Sequence, residues 1–184
     1  MKRLIAPILV LIGLLYPFAV YYGIEYLSPR FFALILGCLW GLRAVFAAEN
    51  LNNRWQALAL IVFCLLLFVF DSPRLLRWYP VLVNLLFLTV FFMSLRVGPP
   101  IIERLARLRE PELPAHAIVY TRKVTQVWAG FFLFNALLAA ALTLWAPLSW
   151  WMLYNGFIAY ILIGLLFAIE WLVRQRVKNA HELD

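Results

Sequence analysis

Hydrophobic positions in this chain come in long unbroken runs, with neither the strict alternation of a half-buried strand nor the narrow stripe of a surface helix. Six runs stand out, over 4–25, 30–48, 55–70, 79–95, 122–144 and 149–173, separated by short polar or proline-containing breaks. About 17 to 25 apolar residues suffice to cross hydrocarbon, and a helix satisfies its own backbone there. The pattern therefore predicts an all-α polytopic membrane helix bundle of six transmembrane helices, one domain over 1–184. Local signals agree: "SPRFF" offers Ser28 as cap and Pro29 as first helical residue of the second span. Pro17 should free the carbonyl of Gly13 and kink the first. The one long polar passage is "ERLARLREPELPAHAIVYTRKVTQVW". It predicts a cytoplasmic loop over 96–121 with a short interfacial helix over 100–110. Ile101, Leu105 and Leu108 would share one face of that helix, with Glu103, Arg104, Arg107 and Glu110 largely on the other. Pro111 ends it.

Composition supports the membrane reading and supplies orientation. With 66% hydrophobic residues and a mean hydropathy of +0.89, 184 residues carry more apolar surface than a soluble domain of that size buries. The net charge of +7 raises nucleic acid as a partner, but the basic residues flank apolar runs and form no aromatic-interleaved patch, which argues against it. Lys and Arg are retained on the cytoplasmic side of a membrane. Placing both termini in the cytoplasm puts all of the 16 basic residues except Arg30, Arg74 and Arg77 on that side. The uncharged "WAPLSWW" then falls on the far side as an aromatic belt. The basic start followed by an apolar run is expected to be a retained span of a bacterial inner-membrane protein. Cys38 and Cys64 both sit inside apolar runs, which suits packing and not a disulfide or metal site.

Small residues suggest how the spans meet. Gly37 and Gly41 form a GxxxG; Gly156, Tyr160, Gly164 and Ala168 recur every four residues in the last span, and Ala129, Ala136, Ala139 and Thr143 offer a matching face on the fifth. The last two spans should pack as an antiparallel hairpin. Polar residues at membrane depth are candidate functional groups because burying them in lipid is costly. At about 1.5 Å per residue, Asn84, Asn135 and Asn155 reach similar depths in the outer half of the bundle, with Tyr154 nearby. These four are expected to form an intramembrane polar cluster. Arg43 should snorkel to the inner interface. The ion pairs expected at the cytosolic interface are Glu103 with Arg107 and Glu170 with Arg174, each four apart on a helix, with Arg122 or Lys123 near Glu170. Arg104, Arg107, Arg109, Arg122 and Lys123 form a candidate docking surface for anionic lipid head groups or an acidic partner. Conventional catalytic signals are missing: His116 and His181 fall in no metalloprotease, haem or nucleophile-elbow motif, and there is no Walker loop or dinucleotide fingerprint. No cofactor or metal is expected.

The passages "LYPFAVYYG", "IERLARLREPELP", "YTRKVTQVW" with "FFLFNA", and "WMLYNGFIAYILIGLLFAIEWLVR" together resemble a family of small bacterial predicted inner-membrane proteins. Its members are often encoded beside genes for aryl-polyene pigments and related acyl-carrier-protein pathways. Some carry the label ketosynthase, but nothing in this chain matches the Cys nucleophile and histidine partners that such an enzyme needs. The final hairpin also looks, more loosely, like the end of the intracellular septation protein A family. The first resemblance implies a non-enzymatic accessory or scaffold that docks cytosolic acyl or aryl-polyene lipid biosynthesis to the membrane, with acyl carrier protein or a biosynthetic enzyme as partner. A translocator of lipid or lipid-linked precursors is the first alternative. The second is a membrane-bound acyl or glycosyl transferase, which would bring Glu103, Glu112, His116 and Tyr120 into one pocket.

Overall fold

The computed structural model of the chain describes residues 22–23, 28–46 and 51–181. The expected first span, with Pro17, lies outside them apart from Tyr22 and Gly23, and so do the surroundings of Gly41 and the side chain of Arg43. Among the described residues every regular element is helical. In chain order these are α1 (Pro29–Phe46), α2 (Leu51–Phe70), the short α3 (Pro73–Leu76), α4 (Tyr79–Arg96), α5 (Ile101–Arg107), α6 (Ala115–Trp145), α7 (Leu148–Leu153), a π-helical turn (Tyr154–Ile158) and α8 (Ala159–His181).

Three stretches are long and apolar enough to cross a membrane: Pro73–Arg96, Ala115–Trp145 and Leu148–Val177. Their 24, 31 and 30 residues exceed what a hydrocarbon core about 30 Å thick requires. Their outer surface is apolar as well. Phe87, Phe92, Leu133, Phe134, Leu137, Phe157, Leu165 and Trp171 are exposed, while Ser94, Thr125, Asn135 and Asn155 are buried. That inversion is what a lipid solvent dictates, because apolar side chains cost nothing there and polar ones must find partners inside. The chain is a membrane protein.

α1 and α2 pack closely. Phe32, Ala33 and Leu36 meet a face of α2 on which Leu60, Phe63, Cys64 and Leu67 are buried. Gly37 takes part: a Cβ there would stand 3.7 Å from the Cβ of Cys64, an ordinary contact. Asp71 ends α2 in the left-handed region (φ 45°), and its carboxylate accepts the backbone N–H of Arg30 at 3.2 Å. One residue therefore stops α2 and caps α1. Ser72 is extended, the backbone favoured before a proline, and Pro73 starts α3.

The tightest pair is α4 with α6. The buried stripe of α6 runs through Thr121, Val124, Thr125, Trp128, Phe132, Asn135, Ala136 and Ala139. Phe132 stacks on Phe87 and meets Phe91 edge-on, both on α4. A second core of Val124, Trp128 and Phe132 also takes Ile102 of α5 and Ile163 and Leu166 of α8.

Several expectations change here. α6 starts at Ala115, seven residues before the expected 122, so His116 and Tyr120 lie on helix and not in a loop. Polar residues disguised this start, although Pro114 directly precedes it and Thr121, Val124 and Thr125 already keep the buried spacing. α5 is also shorter than the expected 100–110. Glu103 is 5% exposed, whereas Leu105 and Leu108 are 55% and 81% exposed. The last two long helices do form an antiparallel pair, but large residues make the contact: Trp128 lies 4.6 Å from Phe167 between ring centroids. Those rings hold the backbones apart. Gly164 has nothing within 4 Å of a built Cβ and Ala168 is exposed, so the expected small-residue face is open at these two positions, while Gly156 is buried.

Candidate functional site

Among the four residues of the expected intramembrane polar cluster, three are joined. Tyr154 Oη donates to Asn135 Oδ1 at 2.5 Å, Asn135 Nδ2 donates to Asn84 Oδ1 at 2.9 Å, and Asn84 Nδ2 donates to the carbonyl of Pro80 at 2.8 Å. The chain of bonds crosses α4, α6 and the π-helical turn. Asn155 is buried beside Tyr154, but its amide donates to the carbonyl of Trp151 at 2.9 Å, one turn back on its own helix. The π-helical turn explains how both face inward. Tyr154, Asn155 and Gly156 are buried in succession in a helix that is otherwise largely exposed, and a widened turn allows what a regular one does not. Such turns occur frequently at functional sites.

Close to this node lies Trp151, expected in the aromatic belt of "WAPLSWW" but buried inside the bundle. Trp151 is 0% exposed, and its Nε1 donates to the carbonyl of Arg77 at 3.1 Å. Thr143 Oγ1 reaches the same carbonyl at 3.1 Å. The guanidinium of Arg77 turns to the end of α6, where Nη2 donates to the carbonyls of Leu142 (3.1 Å) and Ala146 (2.8 Å). These two acceptors belong to the last turn of α6 and its cap; the carbonyl of Leu142 also accepts the N–H of Ala146 at 3.1 Å, so Arg77 is its second donor. The only signal in the sequence was an arginine on the poorly charged side, next to tryptophans.

The opposite end holds the expected docking surface and ion pairs. Arg107 donates from Nε (2.9 Å) and Nη2 (2.8 Å) to one oxygen of Glu103, and from Nη1 to the carbonyl of Pro111 at 3.0 Å. Arg104 folds back on the break after α4, donating to the carbonyls of Pro99 (2.7 Å) and Val97 (3.3 Å) around Gly98. The φ of 75° at Gly98 is one that glycine adopts without strain. Ser94 completes the turn by accepting the N–H of Ile101 at 3.1 Å. Arg122 donates to the carbonyl of Leu95 at 3.1 Å. Three of the five docking candidates are therefore engaged by their own chain. Arg109 and Lys123 are exposed and make no such bond among the described residues.

Glu170 and Arg174 form a two-pronged pair at 2.9 and 2.5 Å. Tyr120, where Arg122 or Lys123 was expected, completes it: its hydroxyl lies 3.1 Å from Glu170 Oε1 and 3.1 Å from the Glu170 carbonyl, tying α6 to α8. Glu103 and Tyr120 thus have separate partners, and Glu112 and His116 are exposed. Among the described residues no group of three His, Cys, Asp or Glu is placed to hold a metal. Comparison with family models, curated proteins and solved structures finds no match to this chain.

Proposed function

We propose that this protein is a six-span, multi-pass protein of the bacterial inner membrane, with both termini cytoplasmic, that acts as a non-enzymatic scaffold. It docks an acidic soluble component of acyl or aryl-polyene lipid biosynthesis, of the acyl carrier protein class, at the membrane surface. The observation that carries this reading is the pairing on the loop end of unspent charge with bare apolar groups. Arg109 and Lys123 are exposed, as are Leu105 and Leu108, while Glu103 of α5 is withdrawn and paired with Arg107. A basic patch attracts an acidic protein, and exposed leucines give it something to bury. Arg104, Arg107 and Arg122 hold the shape of that surface through carbonyls and a carboxylate, so their role in docking is indirect.

The test is titration of acylated carrier protein onto the protein in nanodiscs. Changing Arg109 and Lys123 together to Ala should weaken binding about thirtyfold, since each basic residue near an acidic surface contributes on the order of 1 kcal/mol. Equal binding by wild type and variant, or none by either, would end the docking reading.

The π-helical turn that carries Tyr154 and Asn155 favours a second reading, translocation of a lipid head group past the Asn84–Asn135–Tyr154 node. Reconstituted protein would then speed the loss of fluorescent lipid from the protected leaflet, and Asn135→Leu would abolish the gain.

A further inference from the structure

The end of the bundle where α6 gives way to α7 carries three arginines with different fates. Arg30 has a carboxylate: its Nε stands 3.4 Å from Asp71 Oδ2. Arg77 has none among the described residues. Its Nη2 spans two carbonyls, its guanidinium lies 6.0 Å from the ring of Trp151, and its Nε is buried without an acceptor. Carbonyls at a helix end carry about half a unit of negative charge between them, which offsets only part of a guanidinium. Arg74, three residues earlier and exposed, adds a second positive charge that repels the first. Two cations side by side, one partly desolvated, need an anion that the described residues do not supply.

The surroundings say what kind of anion. The carbonyl that Arg77 holds belongs to Ala146, next to Trp145, which is 81% exposed, and Trp150 follows in α7, 60% exposed. Tryptophan side chains so placed sit at the level of lipid head groups. A free phosphate would answer the charge but leave those rings bare; a phospholipid answers both.

We propose that Arg74 and Arg77 bind the phosphate of an anionic phospholipid, whose glycerol and upper acyl chains lie along Trp145 and Trp150. The site is at the opposite end from the docking surface and stands independently of the scaffold reading. The experiment compares retained lipid by native mass spectrometry, and the thermal midpoint, for protein in phosphatidylglycerol and in phosphatidylcholine. Each variant is referred to its own value in phosphatidylcholine, so a change in folding alone does not register. Wild type should keep phosphatidylglycerol in preference and gain stability from it. Arg74→Gln, at an exposed position, should lower that preference about fivefold, and Arg77→Lys should lower it as well. Arg176→Gln, at an exposed position that neither site uses, should leave it unchanged. Equal retention of the two lipids, an unchanged preference in Arg74→Gln, or its loss in Arg176→Gln would overturn the assignment. So would an equal stability gain from excess inorganic phosphate, which would make the site one for a free anion.

Discussion

The two ends of the α4–α6 pair solve the same problem, how to place arginine at the edge of a membrane helix, in different ways. At the loop end, Arg104, Arg107 and Arg122 are half-exposed or exposed and spend their donors on carbonyls of a chain break and on Glu103. At the other end, Arg77 reaches into the protein, fastens the last turn of α6 and lies beside a fully buried tryptophan. Solvent separates the two cases. Exposed guanidinium groups keep water and head groups as alternative partners, so each bond adds little. A partly desolvated one has lost much of that water, so losing its protein partners costs more. The loop end is therefore free to vary its outward charge, whereas the tryptophan end is fixed by its fold.

The largest effect should come from Trp151→Ala, which empties a fully buried site in the core shared by α1 to α4. We expect a loss of about 3–5 kcal/mol in equilibrium unfolding in mixed micelles. Trp151→Phe, which fills most of the space but drops the indole N–H, should cost about 1 kcal/mol. A small loss from the alanine variant would place Trp151 at the surface and erase the contrast between the ends.

Next, one substitution made at both ends compares them directly. Arg77→Gln should cost about 2 kcal/mol, because two carbonyls at the end of α6 lose a charged donor. Arg122→Gln should cost less than about 1 kcal/mol, since Arg122 is exposed and makes one bond, to the carbonyl of Leu95. The same unfolding measurement reads both, and equal losses would refute the solvent argument. Between the ends, Asn135→Ala should cost about 1 kcal/mol, and a double-mutant cycle with Tyr154→Phe should be clearly non-additive. Additive losses would mean that the Tyr154–Asn135 bond contributes nothing.

How far these features could be read from sequence depends on the range of the interactions that make them. Apolar runs gave the helices from Pro29 onward, because hydrophobic length is a local property, and helical rise brought Asn84, Asn135 and Tyr154 to one depth. Rise says nothing of azimuth, and the π-helical turn shifts azimuth without a sequence mark, so the partner of Asn155 was not legible. The same holds for α5: its leucines share a face, as the period requires, but which face turns inward was decided by Glu103 pairing with Arg107. Arg77 was hidden for another reason. Its partners are backbone carbonyls 65 and 69 residues away, and carbonyls have no sequence signature.

The smallest effect tests whether the comparison rightly concerns only α4 and α6. α8 leans on α6 through Ile163, Leu166, Phe167 and Glu170, a stripe with helical spacing, and Gly164 lies beside that stripe with open space before it. If lipid alone covers Gly164, then Gly164→Leu should change stability by no more than about 0.5 kcal/mol in either direction, since a leucine gains nothing over lipid and displaces no neighbour. Replacing glycine inside a helix should even favour the variant slightly. A loss of several kcal/mol in the monomeric, detergent-solubilised protein would mean that another helix of this chain packs on that face. A loss seen only at high protein concentration would instead point to a second copy. In either case α8 would have to be counted with α4 and α6 as a rigid wall, and the stability attributed to Arg77 and Trp151 would be shared with it.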